Sequence, residues 1–576
     1  MNLKDFIQGK KYLLHVKSSN EDEVRKISGE HNLSIPVSQV LFNRGYKLGD
    51  NIREFLFTSY EKNVPDGNLL KDSNIAVDRI LKAIKEKEKI LVFGDYDVDG
   101  ISSSSLALVC LLPLGAKINF FLPNRARDGY GLSTKIVQRA YENGYKLIIT
   151  VDNGTTAFEA AALAKKLGLD LIITDHHRPQ DGVPEALAVV NPYQDECKYP
   201  NKFLPGVGVI FKLVNLLYEK KKLFLPEKAY ELLMLGTIAD VMPLLGENRY
   251  WVRYGLSKAN KKLSYAMSVL SRNVRLSKER ISSLDIGYNI APQLNALGRL
   301  SDPRDGVKFL ISSNRNDVDR VGKVLFEMNE ARKRVERQIY DDISVAIDSG
   351  KINLEKENLI LAAGSGWPTG IVGLVAGKLA HNYGRPAIIL HIAKDGLLKG
   401  SCRSIKEFNI FDALSENKHL LKTFGGHSQA AGLSIKQENV KELKENLEQK
   451  ISKELTPFDL KQKVEIDATL QLSDMSKKLL TDLEQLEPFG NENPTPNFLI
   501  KNISLLDKPR LLKDKHIKIS VFSDGVIKPV IFFNRPDLFT VFNELGEKNF
   551  DLAGNVTKNE WEGRTNIELF GVDLVI

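Results

Sequence analysis

Three aspartates alternate along 94-GDYDVDG-100, placing Asp95, Asp97 and Asp99 within one short turn. Carboxylates this close repel one another unless a cation sits among them, so divalent-metal binding is the first chemistry to consider. The spacing D-x-D-x-D-G also opens a calcium loop, which needs a bidentate Glu at its twelfth position and a helix on each side. Counted from Asp95 that position is Leu106, and 90-ILVF-93 before it reads as a buried strand. The aspartates therefore close a strand and precede a small-residue stretch, 102–112, that can enter a helix. In an open parallel sheet, ligands bind at this place, outside the carboxyl ends of the strands.

Two further strand candidates end in the same way. The stretch 146-KLIITVDNG-154 delivers Asp152, and 170-DLIITDHHRP-179 delivers Asp175, His176 and His177. A fourth acid, Asp240, closes the helical segment 228–239 in 236-GTIADVMPL-244. A single strand ending in Asp often does no more than cap the next helix. Three ends opening onto one sheet edge, one of them carrying a His pair, can converge on a common point. Carboxylates joined by imidazole suit Mn2+ or Mg2+, with Mn2+ favoured once nitrogen enters the shell. Cys110, Cys197 and Cys402 are scattered and form no zinc spacing. So many acids around one point can hold two ions, and a pair about 3.5–4 Å apart is a standard device for displacing an oxygen from phosphorus. No GxxxxGK[ST] loop is present to cradle ATP. The residues point to metal-assisted hydrolysis of a phosphoester or phosphoanhydride.

The elements that must carry these groups can be read from the patterning. Apolar strand candidates at 89–94, 117–122, 146–151, 170–174 and 187–190 alternate with helical segments such as 133–143 and 157–167, the rhythm of a mostly parallel α/β sheet. From 317 to 348 an apolar stripe of Val321, Leu325, Met328, Val335, Ile339, Ile343 and Ile347 predicts one long connecting helix. The α/β alternation restarts over 355–450. After 456, short Val/Ile/Phe-rich strands separated by Gly, Asp and Asn predict a small β-barrel or sandwich. The Gly-rich 364-GSGWPTGIVG-373 is expected to be a tight strand–helix turn.

A chain of 576 residues is expected to form roughly three or four domains. No apolar run approaches the ~20 residues of a membrane span, and the N-terminus lacks a signal-peptide pattern, so a reduced, cytoplasmic protein is expected. Lys and Arg exceed Asp and Glu by 81 − 73 = 8, a mild hint of a polyanionic partner.

The succession 94-GDYDVDG-100, 151-VDNG-154, 175-DHH-177 and 236-GTIADVMPL-244 resembles the four motifs of the DHH phosphoesterases. The later 400-GSCRS-404 and 425-GGHSQAAG-432 resemble the DHHA1 accessory domain of one branch of that family. With the connecting helix and a terminal OB-like β-domain, the order is similar, over nearly the whole chain, to the family's single-strand-specific bacterial exonucleases. The resemblance implies an N-terminal extension (1–74), an α/β catalytic DHH domain with a parallel sheet (75–315), a connecting helix (316–349), a smaller α/β DHHA1 domain (350–455) and a C-terminal OB-like barrel (456–576). It implies 5′→3′ hydrolysis of single-stranded DNA to nucleoside 5′-monophosphates in repair and recombination, dependent on Mn2+ or Mg2+ with two ions expected. The partners implied are single-stranded DNA, a helicase and a single-strand-binding protein, with no membrane. Asp97, Asp99, Asp152, His176 and Asp240 would be metal ligands, Asp95 would line the same site and His177 would contact the scissile phosphate. Arg299, Ser401 and Arg403 would hold the 5′-phosphate end, Arg125 or equally Arg127 would grip the strand, and His427 would face the cleft. One departure is Cys402, which stands where the accessory motif usually has Gly and is expected to point away from the site. The competing readings are a phosphodiesterase for oligonucleotides or cyclic dinucleotides and a non-catalytic DNA-binding scaffold. The extension before 75 and the β-domain after 456 argue against the first, and the complete acid and His set argues against the second.

Overall fold

A computed structural model of the chain describes residues 5–124, 129, 131–180, 182–276, 280–561 and 564–576. Arg125 and Arg127 fall outside them. The chain divides into two compact units, one made of Arg53–Ala331 with Leu486–Pro494, the other of Met1–Ile52, Arg332–Gln485 and Thr495–Ile576.

The first unit is organised by a parallel sheet of β1 (Lys89–Gly94), β2 (Lys117–Phe121), β3 (Tyr145–Val151), β4 (Asp170–Thr174) and β5 (Ala188–Val190). Their spatial order is β2-β1-β3-β4-β5. The strands are apolar on both faces because helices cover both. Ile90 and Val92 of β1 pack into one core with Ile149 and Val207, whereas Leu91 and Phe93 pack into another with Ala160 and Ala164. Each such buried aliphatic or aromatic side chain contributes about 1.5–3 kcal/mol, which makes the sheet a firm platform for the polar groups at its end. The expected strands and helices are present, with ends shifted by a residue or two. Three helices matter for the site: α1 (Val98–Leu111), α2 (Gly206–Lys220) and α3 (Glu227–Ala239).

The long helix is found at Arg315–Asp348. Its stripe serves two different cores: Leu325 is buried with Val321 and Met328 beside it in the first unit, and Ile339 and Ile343 are buried with Val335 and Ile347 beside them in the second.

Among the described residues, the second unit holds three sheets. The accessory sheet orders Leu421–His427, Ala430–Lys436, Leu397–Arg403, Ala387–Ile392 and Ile360–Ser365, with the first four strands antiparallel to their neighbours and the last pair parallel. The C-terminal sheet closes on itself. Phe498–Leu505, Phe550–Trp561, Arg564–Val575, Val526–Phe532 and His516–Ser523 pair in succession, and the last pairs back to the first. That ring is the expected OB-like barrel. Lys463–Ile466, within the stretch after 456 expected to form that β-domain, instead pairs with Leu13–Val16 of an N-terminal hairpin. Among the described residues no helix is long and apolar enough to cross a membrane.

Candidate metal centre

The order β2-β1-β3-β4-β5 reverses direction between β1 and β3, and a crevice at such a switch point is where doubly wound sheets bind ligands. Register makes the ends level. Gly94 pairs with Val151, Val151 with Thr174 and Thr174 with Val190. The next residues along each strand, Asp95, Asp152, Asp175 and Asn191, therefore stand side by side at the sheet edge.

Asp97 caps α1, accepting a hydrogen bond from the Gly100 N–H at 3.1 Å. Asp99, one residue into that helix, is aimed at the N-terminus of α2, where its Oδ2 accepts from Gly206 N–H at 2.6 Å and its Oδ1 from Val207 N–H at 2.9 Å. These two bonds fix the carboxylate while the helix dipole favours its charge. Asp152 has φ of 62°, in the left-handed region that costs a residue with a Cβ about 1 kcal/mol or more. Its side chain is met so closely by α2 that a Cβ on Gly206 would lie 2.5 Å from the Cβ of Asp152. Only glycine permits that approach.

Around these carboxylates His176 places Nε2 at 3.1 Å from Asp152 Oδ1, 3.6 Å from Asp240 Oδ2 and 3.9 Å from Asp99 Oδ2. Three overlapping groups could each hold an ion: Asp95–Asp97–Asp152, Asp99–His176–Asp240 and Asp152–His176–His177. Asp152 is shared by the first and third groups, and His176 by the second and third. Among the described residues, the buried Asp95 Oδ1, Asp152 Oδ1 and Asp240 Oδ2 accept no hydrogen bond. A buried carboxylate oxygen without a partner costs free energy that coordination of a cation would recover. Oxygen donors with one or two imidazoles fit Mn2+ or Mg2+.

The electrostatics agree. Burial, with the charge of Asp97 beside it, pushes Asp99 up to about 7 and holds Asp95 well above the ordinary carboxylate range. Burial together with the neighbouring Asp99 does the same to Asp152 and Asp240. Burial and the adjacent His177 charge lower His176 to about 4, keeping it the neutral imidazole a metal requires.

His177 differs from His176. Burial disfavours its charged ring, but the hydrogen bond from Nδ1 to Asp175 Oδ1 at 2.7 Å and the charge of Asp175 outweigh it and hold the ring up to about 9. Asp175 is the residue that the reading from sequence left without a role. Burial opposes its ionisation, yet the His177 bond, the charges of His177 and His176 and the Thr155 bond together outweigh it and keep Asp175 well below the usual range. It also accepts from the backbone N–H groups of His176, His177 and Thr155 at 2.7, 3.1 and 2.8 Å. One carboxylate thus shapes the turn that presents both histidines. Asn191 supports it from the next strand, donating to His177 O at 2.8 Å and Thr155 Oγ1 at 3.0 Å. The signal for Asn191 was available, since 188-AVVN-191 ends a strand in a polar residue just as the other strands do.

The helix Ala291–Leu300 bears Arg299 and docks on the aspartate turn. Its Asn295 Oδ1 accepts from Val98 N–H at 3.2 Å, and a Cβ on Gly298 would fall 2.4 Å from Tyr96 O. In the second unit, Ser401 and Arg403 lie on one face of the strand Leu397–Arg403, both beside Gly373 of the helix Thr369–Tyr383. His427 is level with Arg403, because both pair with Ala430. Cys402 points to the opposite face, fully buried with Ile388 and Ala431, and burial pushes its thiol up to about 12. It does not narrow the Ser401–Arg403 face. Of the barrel aromatics, Phe498 and Phe532 are core residues, while Phe533 is half exposed.

Fold and motifs together define a class. Residues 89–237 match the DHH family N-terminal domain, 356–453 the DHHA1 domain and 466–573 the RecJ OB domain. The chain is 33% identical to the single-stranded-DNA-specific exonuclease RecJ of Bacillus subtilis over 566 residues, covering 97% of this chain and 70% of that protein. It is 32% identical to the RecJ of Escherichia coli, covering 86% of this chain and 88% of that one. The chain belongs to the RecJ family. A crystal structure of RecJ from Thermus thermophilus in complex with Mn2+ has the same fold, with a TM-score of 0.82 at 24% identity over 98% of this chain and 79% of that one.

Proposed function

We propose that this protein is a metal-dependent 5′→3′ exonuclease that hydrolyses single-stranded DNA to nucleoside 5′-monophosphates in DNA repair and recombination. The observation that carries the reading is the set of overlapping carboxylate–histidine groups at the switch point, joined through Asp152 and His176. Asp97, Asp99, Asp152, His176 and Asp240 would hold Mn2+ or Mg2+, with Asp95 lining the same site. Two such ions, when bound, supply neutralisation of phosphate charge and a water acidified toward neutral pH.

The chain's own residues do the rest. Asp175 keeps His177 protonated and oriented, a cationic donor for a non-bridging oxygen of the scissile phosphate. Gly206 and Val207 N–H hold Asp99 in place before substrate arrives, so no reorganisation is needed at the moment of reaction. Arg299, Ser401 and Arg403 would bind the 5′-phosphate end, His427 would face the cleft, and Arg125 or equally Arg127 would grip the strand. The barrel would track single-stranded DNA through phosphate contacts and base stacking, with strong salt dependence and little sequence preference. We divide these tasks among a catalytic region (75–315), connecting helix (316–349), accessory domain (350–455) and barrel (456–576), with 1–74 as an extension. A helicase and a single-strand-binding protein in the cytoplasm would supply the substrate.

The test is a nuclease assay on single-stranded DNA labelled at either end, with Mn2+ or Mg2+ and no ATP, beside Asp97→Ala and a duplex control. Mononucleotide released first from the 5′ end, absent in the variant and from duplex, is expected. Turnover of di- or cyclic nucleotides without attack on long single strands would move the protein to the small-substrate phosphodiesterases. Binding without cleavage would leave only a scaffold.

A further inference from the structure

The segment Leu486–Pro494 belongs to the metal-bearing unit although its sequence neighbours on both sides do not. It grips the turn that follows Asp240. Asn491 Nδ2 donates to Val241 O at 2.8 Å, and Asn491 O accepts from Leu244 N–H at 3.0 Å. The two partners of the first bond lie 250 residues apart in sequence.

Val241 is what makes this contact informative. Its φ is 56°, and a β-branched residue rarely adopts the left-handed region. Such a conformation persists only where the surroundings over-determine it, and it is typically found where function requires it. Val241 gains no burial in exchange, since its side chain is exposed. The helix end holds the turn from one side, with Val241 N–H donating to Ile238 O at 3.2 Å and Met242 N–H to Thr237 O at 3.3 Å, and the Asn491 clamp holds the Val241 carbonyl from the other.

The segment is itself well anchored. Phe489 is nearly buried and its carbonyl accepts from Ser283 Oγ at 2.6 Å. Arg249 Nη1 donates to Leu486 O at 2.9 Å, and Asn493 Nδ2 donates to Leu486 O and Pro488 O, each at 2.8 Å. A held loop can therefore hold a strained one.

We propose that Asn491 is a positioning residue for the metal centre, acting on Asp240 through the Val241 carbonyl. The inference rests on the reading of Asp240 as a metal ligand. Partners that orient ligands from behind typically change metal affinity about 10- to 100-fold when removed.

The test titrates the full chain with Mn2+ alone, by calorimetry and without DNA, and records Tm alongside. Asn491→Ala is expected to weaken Mn2+ binding about tenfold at nearly unchanged Tm. Adding Val241→Gly should restore most of that loss, because glycine adopts positive φ without strain. Wild-type affinity in Asn491→Ala, with weakened binding in Asp240→Ala, would overturn the inference and leave the proposed function standing. Unchanged binding in Asp240→Ala would overturn both. Weakened binding that Val241→Gly does not restore, with a parallel fall in Tm, would reduce Asn491 to a general stabiliser and overturn it too. If Asn491→Ala does not fold, Asn491→Asp carries the same test, since it keeps the side-chain shape but replaces the donating Nδ2 with an acceptor.

Discussion

At the switch point Asp99, Asp152 and His176 are almost withdrawn from water, whereas on the accessory sheet Ser401 and Arg403 are half-buried and His427 is exposed. The first group is held by the fold against its own interest: like charges are packed together, a backbone is bent left-handed at Asp152, and carboxylate oxygens go without hydrogen bonds. The second sits on regular strands at ordinary dihedrals, its one unusual side chain, Cys402, turned into the core. The contrast separates two kinds of binding surface. A site for small, highly charged cations must exclude water and be rigid before the ion arrives. A site for the end of a flexible strand needs only reachable donors on a stable sheet.

Four experiments would break or sharpen that contrast, the largest effect first. Asp152→Asn should abolish nuclease activity, by at least about 10³-fold, the scale on which a preorganised charged group is lost. In a chelator the same variant should melt no lower than wild type, because burial and the neighbouring acids already disfavour the charge that Asn removes. A lower Tm there would mean that the cluster is not strained without metal.

Asp175→Asn should lower kcat about 10- to 100-fold while leaving Mn2+ affinity within a few-fold, since Asp175 orients His177 and lies outside the three groups that could hold an ion. Equal losses in both would place Asp175 among the ligands. Next in size, Arg403→Lys should raise KM for 5′-phosphorylated single strands about tenfold, the value of a charge-assisted hydrogen bond, with kcat and Tm little changed. An effect as large on 5′-hydroxyl substrate would remove Arg403 from the phosphate end.

The smallest effect is one of pH on stability. The folded-state pKa of His177 lies at about 9, above its unfolded value, so its contribution is fully present below about pH 6.5 and lost as pH rises through 9. In chelator, Tm should therefore decline between pH 7 and 9, and less so in His177→Gln. His176, lowered to about 4, acts in the opposite direction but only below pH 6.5. A profile unaffected by His177→Gln would show that the ring is not charged.

Much of this was legible in the residues alone. Strand-end aspartates announce themselves because apolar runs such as 90-ILVF-93 and 147-LIITV-151 must be buried, and a parallel sheet then brings their ends to one edge. The long amphipathic helix and the short barrel strands follow from the same local rules, whereas the DHH succession was legible as a resemblance to a known family. Other features were out of reach because they depend on residues meeting from far along the chain. Sequence could not tell that Asp175 is bonded to both histidines of the turn after it, since that depends on the turn after β4 and on Asn191 beside it. It could not tell that Gly206 exists to let Asp152 come close, or that the long helix divides its stripe between two cores.

Sequence by itself thus determined which groups could do the chemistry and that strands would carry them to one end, because side-chain type and hydrophobic period are local properties. Tertiary structure alone decided which carboxylate two candidate ion-holding groups share, which histidine stays neutral and which loop grips the turn after Asp240. Those outcomes depend on burial, distance and register, and none of these is defined until the chain has closed on itself.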